Sequence, residues 1–111
     1  MHTVVETQQF SKRVKSLRIA DDEAAEMIIT LAENPASGDS LGGGLYKIRI
    51  ARKDSGKSGG YRVLYFYKPK DMPIFLLTVF AKNEKTNISQ AEKKVLIELC
   101  GTLTDTYRKQ T

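Results

Sequence analysis

Three basic residues in the middle of the chain have the types and spacing to do chemistry on a phosphate. In Leu45-Tyr46-Lys47-Ile48-Arg49-Ile50-Ala51, Lys47 and Arg49 are two apart, so extended backbone puts them on one face and Ile48 and Ile50 on the other. Arg62 lies in the next apolar run, Tyr61-Arg62-Val63-Leu64-Tyr65-Phe66-Tyr67, and can join them if the two runs pair antiparallel. Cations held on rigid backbone can bind a phosphodiester, neutralise charge that builds in its transition state and protonate a leaving oxygen. RNA carries its own nucleophile, the 2′-hydroxyl beside each phosphate. An enzyme that cuts it therefore needs alignment and electrostatics more than a nucleophilic side chain. The same residues would equally suit a solvent-facing strand surface that binds polyanions without cutting them.

Other chemistries fall away. The only histidine, His2, stands near a terminus expected to be loosely ordered, which removes a histidine acid–base pair and a Ser-His-Asp triad. One histidine and one cysteine cannot form a zinc site of the usual type, and no metal or cofactor is expected. Asp21, Asp22, Glu23 and Glu26 read as the solvated first turns of a helix rather than paired catalytic carboxylates. Gly42-Gly43-Gly44 leads into a strand, so it is no dinucleotide fingerprint. Gly56-Lys57-Ser58-Gly59-Gly60 lacks the earlier spaced glycine of a phosphate loop and also feeds a strand. Cys100, inside Val95-Leu96-Ile97-Glu98-Leu99-Cys100, reads as a buried structural thiol, and its lack of a disulfide partner suits a reducing compartment.

The elements that must position the cations follow from pattern. Thr3 to Glu6 suits a short opening strand. Phe10, Val14 and Leu17 then fall on one helical face from Thr7 onward, and Ala24, Met27, Ile28 and Leu31 on a second helix that Pro35 stops. Residues 36–44 read as a loop rich in Gly, Ser and Asp. Leu45 to Ala51 and Tyr61 to Tyr67 are strands, joined by a long glycine-bearing connection over 52–60 that is expected to be mobile. Ile74 to Ala81 is almost wholly apolar, as in a strand covered on both faces. Ser89-Gln90-Ala91-Glu92 forms a capping box that opens a last helix running past Gly101. The expected fold class is α+β: an N-terminal strand and a helical hairpin packed on a small, mainly antiparallel sheet, with a C-terminal helix.

At 111 residues, with 41% hydrophobic and 28% charged content, the chain is expected to form one domain over residues 1–111. Its net charge of +5 is unevenly spread. From Leu45 to Lys70 the cations Lys47, Arg49, Arg52, Lys53, Lys57, Arg62, Lys68 and Lys70 meet only Asp54, whereas residues 21–33 hold five acids and no cation. Such segregation favours a polyanionic partner on one face. No leader pattern opens the chain and no apolar run nears the roughly 20 residues of a membrane span, so a cytoplasmic location is expected.

Three runs together resemble the RelE/HigB superfamily of toxins from bacterial type II toxin–antitoxin modules, and most nearly its HigB-like branch. They are Gly43-Gly44-Leu45-Tyr46-Lys47-Ile48-Arg49, Gly56-Lys57-Ser58-Gly59-Gly60-Tyr61-Arg62-Val63-Leu64-Tyr65, and Leu77-Thr78-Val79-Phe80-Ala81-Lys82-Asn83-Glu84. The resemblance implies a RelE-like microbial ribonuclease fold. It also implies an mRNA interferase, a ribosome-dependent endoribonuclease that cuts translated message in the A site by 2′-hydroxyl attack. By position, Arg62 takes the phosphate-contacting role, and Lys47 or Arg49 that of base, acid or phosphate positioner. Arg52, Lys53, Lys57, Lys82 and Asn83 are the RNA or ribosome contacts so implied. Asn83 stands where the RelE pattern has an arginine. Asn87 or Ile88 fills the region of its base-stacking tyrosine, leaving Tyr107 as the only later tyrosine and Tyr61, Tyr65 or Tyr67 as substitutes that also suit sheet packing. The implied partners are a cognate antitoxin, the 70S ribosome with its mRNA, and operator DNA only through the antitoxin. A non-catalytic RNA- or ribosome-binding protein and a corepressor are the competing readings.

Overall fold

The computed structural model describes residues 2–51, 60–68, 72–81 and 88–109. Strand β1 (Val4–Glu6) passes through Thr7 into helix α1 (Gln8–Ser16). The Thr7 hydroxyl caps the helix by accepting from Phe10 N at 3.3 Å. At the far end, Ile19 N donates to Val14 O and Arg18 N to Lys15 O, with Arg18 left-handed at φ 56°. This is a Schellman closure, in which the residue past the helix turns the chain and leaves Ile19 buried. Helix α2 (Asp21–Glu33) follows at once. Its first turn holds Asp21, Asp22 and Glu23 near the positive end of the helix dipole, and no side chain of Ala20 caps it.

Strands β2 (Asp39–Gly42), β3 (Leu45–Ala51), β4 (Gly60–Phe66) and β5 (Ile74–Ala81) precede helix α3 (Gln90–Lys109). The five strands form one sheet in the order β1-β5-β4-β3-β2. All neighbours are antiparallel except β1 and β5, which run parallel with Val4 opposite Ile74. The fold class is therefore α+β, with a C-terminal helix, as expected.

The sheet has helices on both faces. Phe10, Met27 and Leu31 from the helical hairpin pack with Val63, Tyr65 and Leu76. On the other face Cys100 of α3, with Leu96 and Leu103, packs on Leu45, Leu64, Phe66 and Leu77. The fully buried large side chains among them, from Phe10 and Met27 to Leu64 and Phe66, each contribute about 1.5–3 kcal/mol over their exposed state. The apolar run of β5 meets this two-sided demand through a bulge: the β4–β5 register shifts between Leu64 and Tyr65. Leu76 and Val79 thus serve the hairpin side, while Leu77 and Thr78 both turn toward α3. Beyond the short β1, the edge of β5 is closed by α1. Thr7 Oγ1 lies 2.7 Å from Leu76 O, and Arg13 Nε donates to Val79 O at 3.0 Å.

Two expectations change. Residues 39–42 are not loop but an edge strand: Asp39 pairs with Lys47 and Ser40 with Tyr46. Gly42, Gly43 and Gly44 all take positive φ, and this tight turn folds the short polar segment back onto β3. The Tyr65 hydroxyl secures it by donating to Pro35 O at 2.8 Å and accepting from Gly38 N at 3.1 Å. His2, expected to be loose, is tied down: its backbone N donates to Ala32 O at 3.1 Å and its ring meets Tyr67 edge-on at 5.8 Å. The predicted capping box is present, with Ser89 N bonded to Glu92 Oε1 and Glu92 N to Ser89 Oγ. Cys100 is buried, and burial raises its thiol to about 11. The connection over 52–59 lies outside the described residues.

Candidate active site

The antiparallel β3–β4 register places Arg49 directly opposite Arg62 and Lys47 opposite Leu64. In β5, Phe80 is the partner of Arg62 and Thr78 that of Leu64. One row across the sheet is therefore Arg49, Arg62, Phe80, and the next is Asp39, Lys47, Leu64, Thr78. Residues directly opposite have Cβ atoms about 4.5–5.5 Å apart, so the two guanidinium groups share one patch. Ile48, Ile50 and Val63 point the other way, into the hairpin core.

Helix α3 covers Leu45, Leu64 and Phe66 on this same face, and the cations lie beyond that contact. Arg49 is exposed; Lys47 and Arg62 are half-buried. Arg49 Nε lies beside β4: a Cβ built on Gly60 would stand 3.8 Å from it. Nη1 of Arg62 is shut off from solvent and has no hydrogen-bond partner among the described residues. A buried donor on a charged group that goes unpaired is costly, about 1–3 kcal/mol or more, and calls for a ligand or a functional reason. With a second cation across from it, the group that suits this donor is an anion.

The sequence singled out Lys47, Arg49 and Arg62, and the structure brings them onto one face. Arg52, Lys53, Lys57, Lys82, Asn83 and Asn87 lie outside the described residues. Four of the tyrosines are settled by the other face, and Tyr107 lies near the end of α3. Tyr61 and Tyr65 are buried in the hairpin-side core, and Tyr46 stacks on Tyr65 with centroids 5.4 Å apart. Tyr67 and His2 belong to the same side, so neither these rings nor the histidine share the surface of Arg49 and Arg62. Desolvation raises the Tyr65 phenol to about 12, which fits a structural hydroxyl. Phe80 is the neighbour that sequence reading missed: in an apolar strand it looked like any core residue, and only the register reveals it beside Arg62.

The described residues form an α+β fold that sets an arginine pair on one face of a helix-covered sheet. The family model described as the RelE toxin of the RelE/RelB toxin–antitoxin system matches residues 2–111, and the chain belongs to that family. A cognate antitoxin is the partner that membership implies. Among the described residues no helix is long and apolar enough to cross a membrane.

Proposed function

We propose that this toxin is an endoribonuclease of the HigB-like kind that cuts translated mRNA in the ribosomal A site, acting in the cytoplasm and silenced by its antitoxin. The observation that carries the reading is a solvent-shielded Nη1, without a partner among the described residues, on an arginine that stands opposite Arg49 in the strand pair. Arg62 is half-exposed, and its guanidinium turned outward onto a phosphate would satisfy that donor while the second guanidinium shares the charge.

In the reaction the 2′-hydroxyl gives up its proton to water, its oxygen attacks the adjacent phosphorus, and the bond from phosphorus to the 5′-oxygen breaks. The products are a 2′,3′-cyclic phosphate and a free 5′-hydroxyl. Negative charge accumulates on the non-bridging oxygens, where Arg62 and Arg49 stabilise it more strongly than in the ground state. A guanidinium keeps its protons, so it serves as a charge and not as a base. Lys47, one residue pair along the same face, is the group suited to give a proton to the leaving 5′-oxygen. Arg52, Lys53, Lys57, Lys82 and Asn83 supply contacts to RNA or ribosome in this reading.

Brief induction of the wild-type chain and of Arg62→Ala, followed by mapping of mRNA 5′ ends, tests it. Codon-phased cuts from wild type alone are expected. Growth arrest with no new ends would instead mean a ribosome-binding inhibitor without chemistry.

A further inference from the structure

We propose that Asp39 is the positioning residue for Lys47: its carboxylate holds the lysine ammonium at the β2 edge of the cation patch, from where the proton is given to the leaving oxygen. That role rests on the nuclease reading above; the contact between the two side chains does not. Asp39 on β2 is the register partner of Lys47, so their Cβ atoms stand about 4.5–5.5 Å apart on one face. A lysine head rides on a flexible four-carbon stem and takes its direction from its surroundings. Along β3 its neighbours on that face are Leu45, which is buried and apolar, and Arg49, which repels it. Across on β4 stand the apolar Leu64 and, on the diagonal, the second cation Arg62. Asp39 is the one acid among these neighbours, and the only one of them that draws the ammonium toward itself.

Three local features bring this acid to that place. The Tyr65 hydroxyl ties down Pro35 O and Gly38 N, the second of them one residue before Asp39. Gly38 itself has no Cβ, and one there would collide with the backbone carbonyl of Lys47 and with the Tyr65 hydroxyl. The strand can therefore approach β3 at the level of Lys47 only because that residue is glycine. Beyond it, the left-handed turn through Gly42, Gly43 and Gly44 returns the chain to β3. Of the four residues so held, only Leu41 packs into the core, so apolar burial is not what the strand chiefly supplies. A charge on an open edge also guards against strand addition, but that role predicts no effect on Lys47. In the reaction the carboxylate takes no proton. It fixes where the ammonium stands as the 5′-oxygen leaves, and it repels RNA phosphates from that edge.

The test uses the full chain as wild type, Asp39→Asn and Asp39→Glu, each checked for native circular dichroism. Brief acetylation by an amine-reactive ester, read lysine by lysine in a mass spectrometer, reports the contact without any RNA cutting. Relative to the exposed Lys12 on α1, Lys47 is expected to react about threefold faster in Asp39→Asn and near the wild-type rate in Asp39→Glu. An unchanged rate in Asp39→Asn overturns the contact. On ribosomes carrying a defined message, kcat is expected to fall about tenfold in Asp39→Asn, with KM unchanged or lower, and to recover in Asp39→Glu. A rise in KM alone, no change, or a loss that Asp39→Glu fails to recover overturns the positioning role. A wild type that cuts nothing overturns the nuclease reading and that role together, while the acetylation rates still decide the contact.

Discussion

Arg49 and Arg62 stand directly opposite each other on neighbouring strands, and the deeper of the two has a buried nitrogen with no hydrogen-bond partner among the described residues. Like charges in that position oppose pairing, by about 0.2–1 kcal/mol in a sheet. The orphaned donor adds its own penalty. Stability alone would not select this pair, and an anion met by both guanidinium groups would offset both defects.

Arg62→Met should therefore stabilise the free protein while disabling it. A rise of about 1–3 kcal/mol in unfolding free energy is expected as the unpaired donor disappears. Cutting should fall by about 100- to 1,000-fold, the usual loss when one preorganised charge-stabilising donor is removed. Urea denaturation and a cleavage assay on the same preparation check both halves. A destabilised Met variant would mean that Arg62 is structural.

Phosphate or sulfate should raise the melting temperature more than sodium chloride of equal ionic strength. General screening relieves repulsion equally for either salt, whereas a bound oxyanion adds mass-action stabilisation. The excess should fall in Arg62→Met to the part that exclusion of these salts from any protein surface supplies, and shrink less in Arg49→Gln. Thermal melts across a phosphate series decide it.

The turn between β2 and β3 yields a graded series. An alanine Cβ at Gly44 would run into the Phe66 ring with φ at +89°, while one at Gly42 would have open space at φ +96°. Gly42→Ala should cost about 1–2 kcal/mol, the left-handed strain alone. Gly44→Ala should cost about 2–4 kcal/mol, because overpacking is added to that strain. Denaturation midpoints of the two variants give the comparison.

Alkaline pH should unfold the protein by a route that Tyr65→Phe removes. The folded phenol titrates at about 12 against 10.0 for the free side chain. The unfolded chain therefore loses its proton first, and stability is level below pH 10 and falls between pH 10 and 12. The loss should approach about 2–3 kcal/mol. Tyr65→Phe should be less stable by about 1 kcal/mol at neutral pH, through its lost bonds to Pro35 and Gly38, yet show a shallower alkaline decline. Denaturation at pH 8, 10 and 11.5 measures the slope, with Cys100→Ala as a companion because its thiol is raised in the same sense.

Much of this architecture was legible because its signals are local. The strand over 45–51, the strand over 74–81 and the capping box at Ser89 all depend on pattern within a few residues, and all appear as expected. The shared face of Lys47 and Arg49 follows from the two-residue period of a strand. Residues 39–42 escaped because Asp-Ser-Leu-Gly has neither strand propensity nor alternation; it is held by a turn and by Tyr65, which lies 26 positions after Asp39. Long-range register decided what else could not be read. That Arg62 faces Arg49 and borders Phe80, or that α3 shares their surface, depends on how separate segments align.

The parallel pairing of β1 with β5 also sets a timetable. Val4, Val5 and Glu6 align with Ile74, Phe75 and Leu76, so the first strand made has no partner until some seventy further residues exist. Contacts this distant in sequence form late, after the entropy of a long closing loop has been met. As the chain emerges during synthesis, the helical hairpin can form early from its own residues, but its apolar face has no complete sheet to rest on. The pairing of β1 cannot precede β5, and until both exist that flank of the sheet stays open.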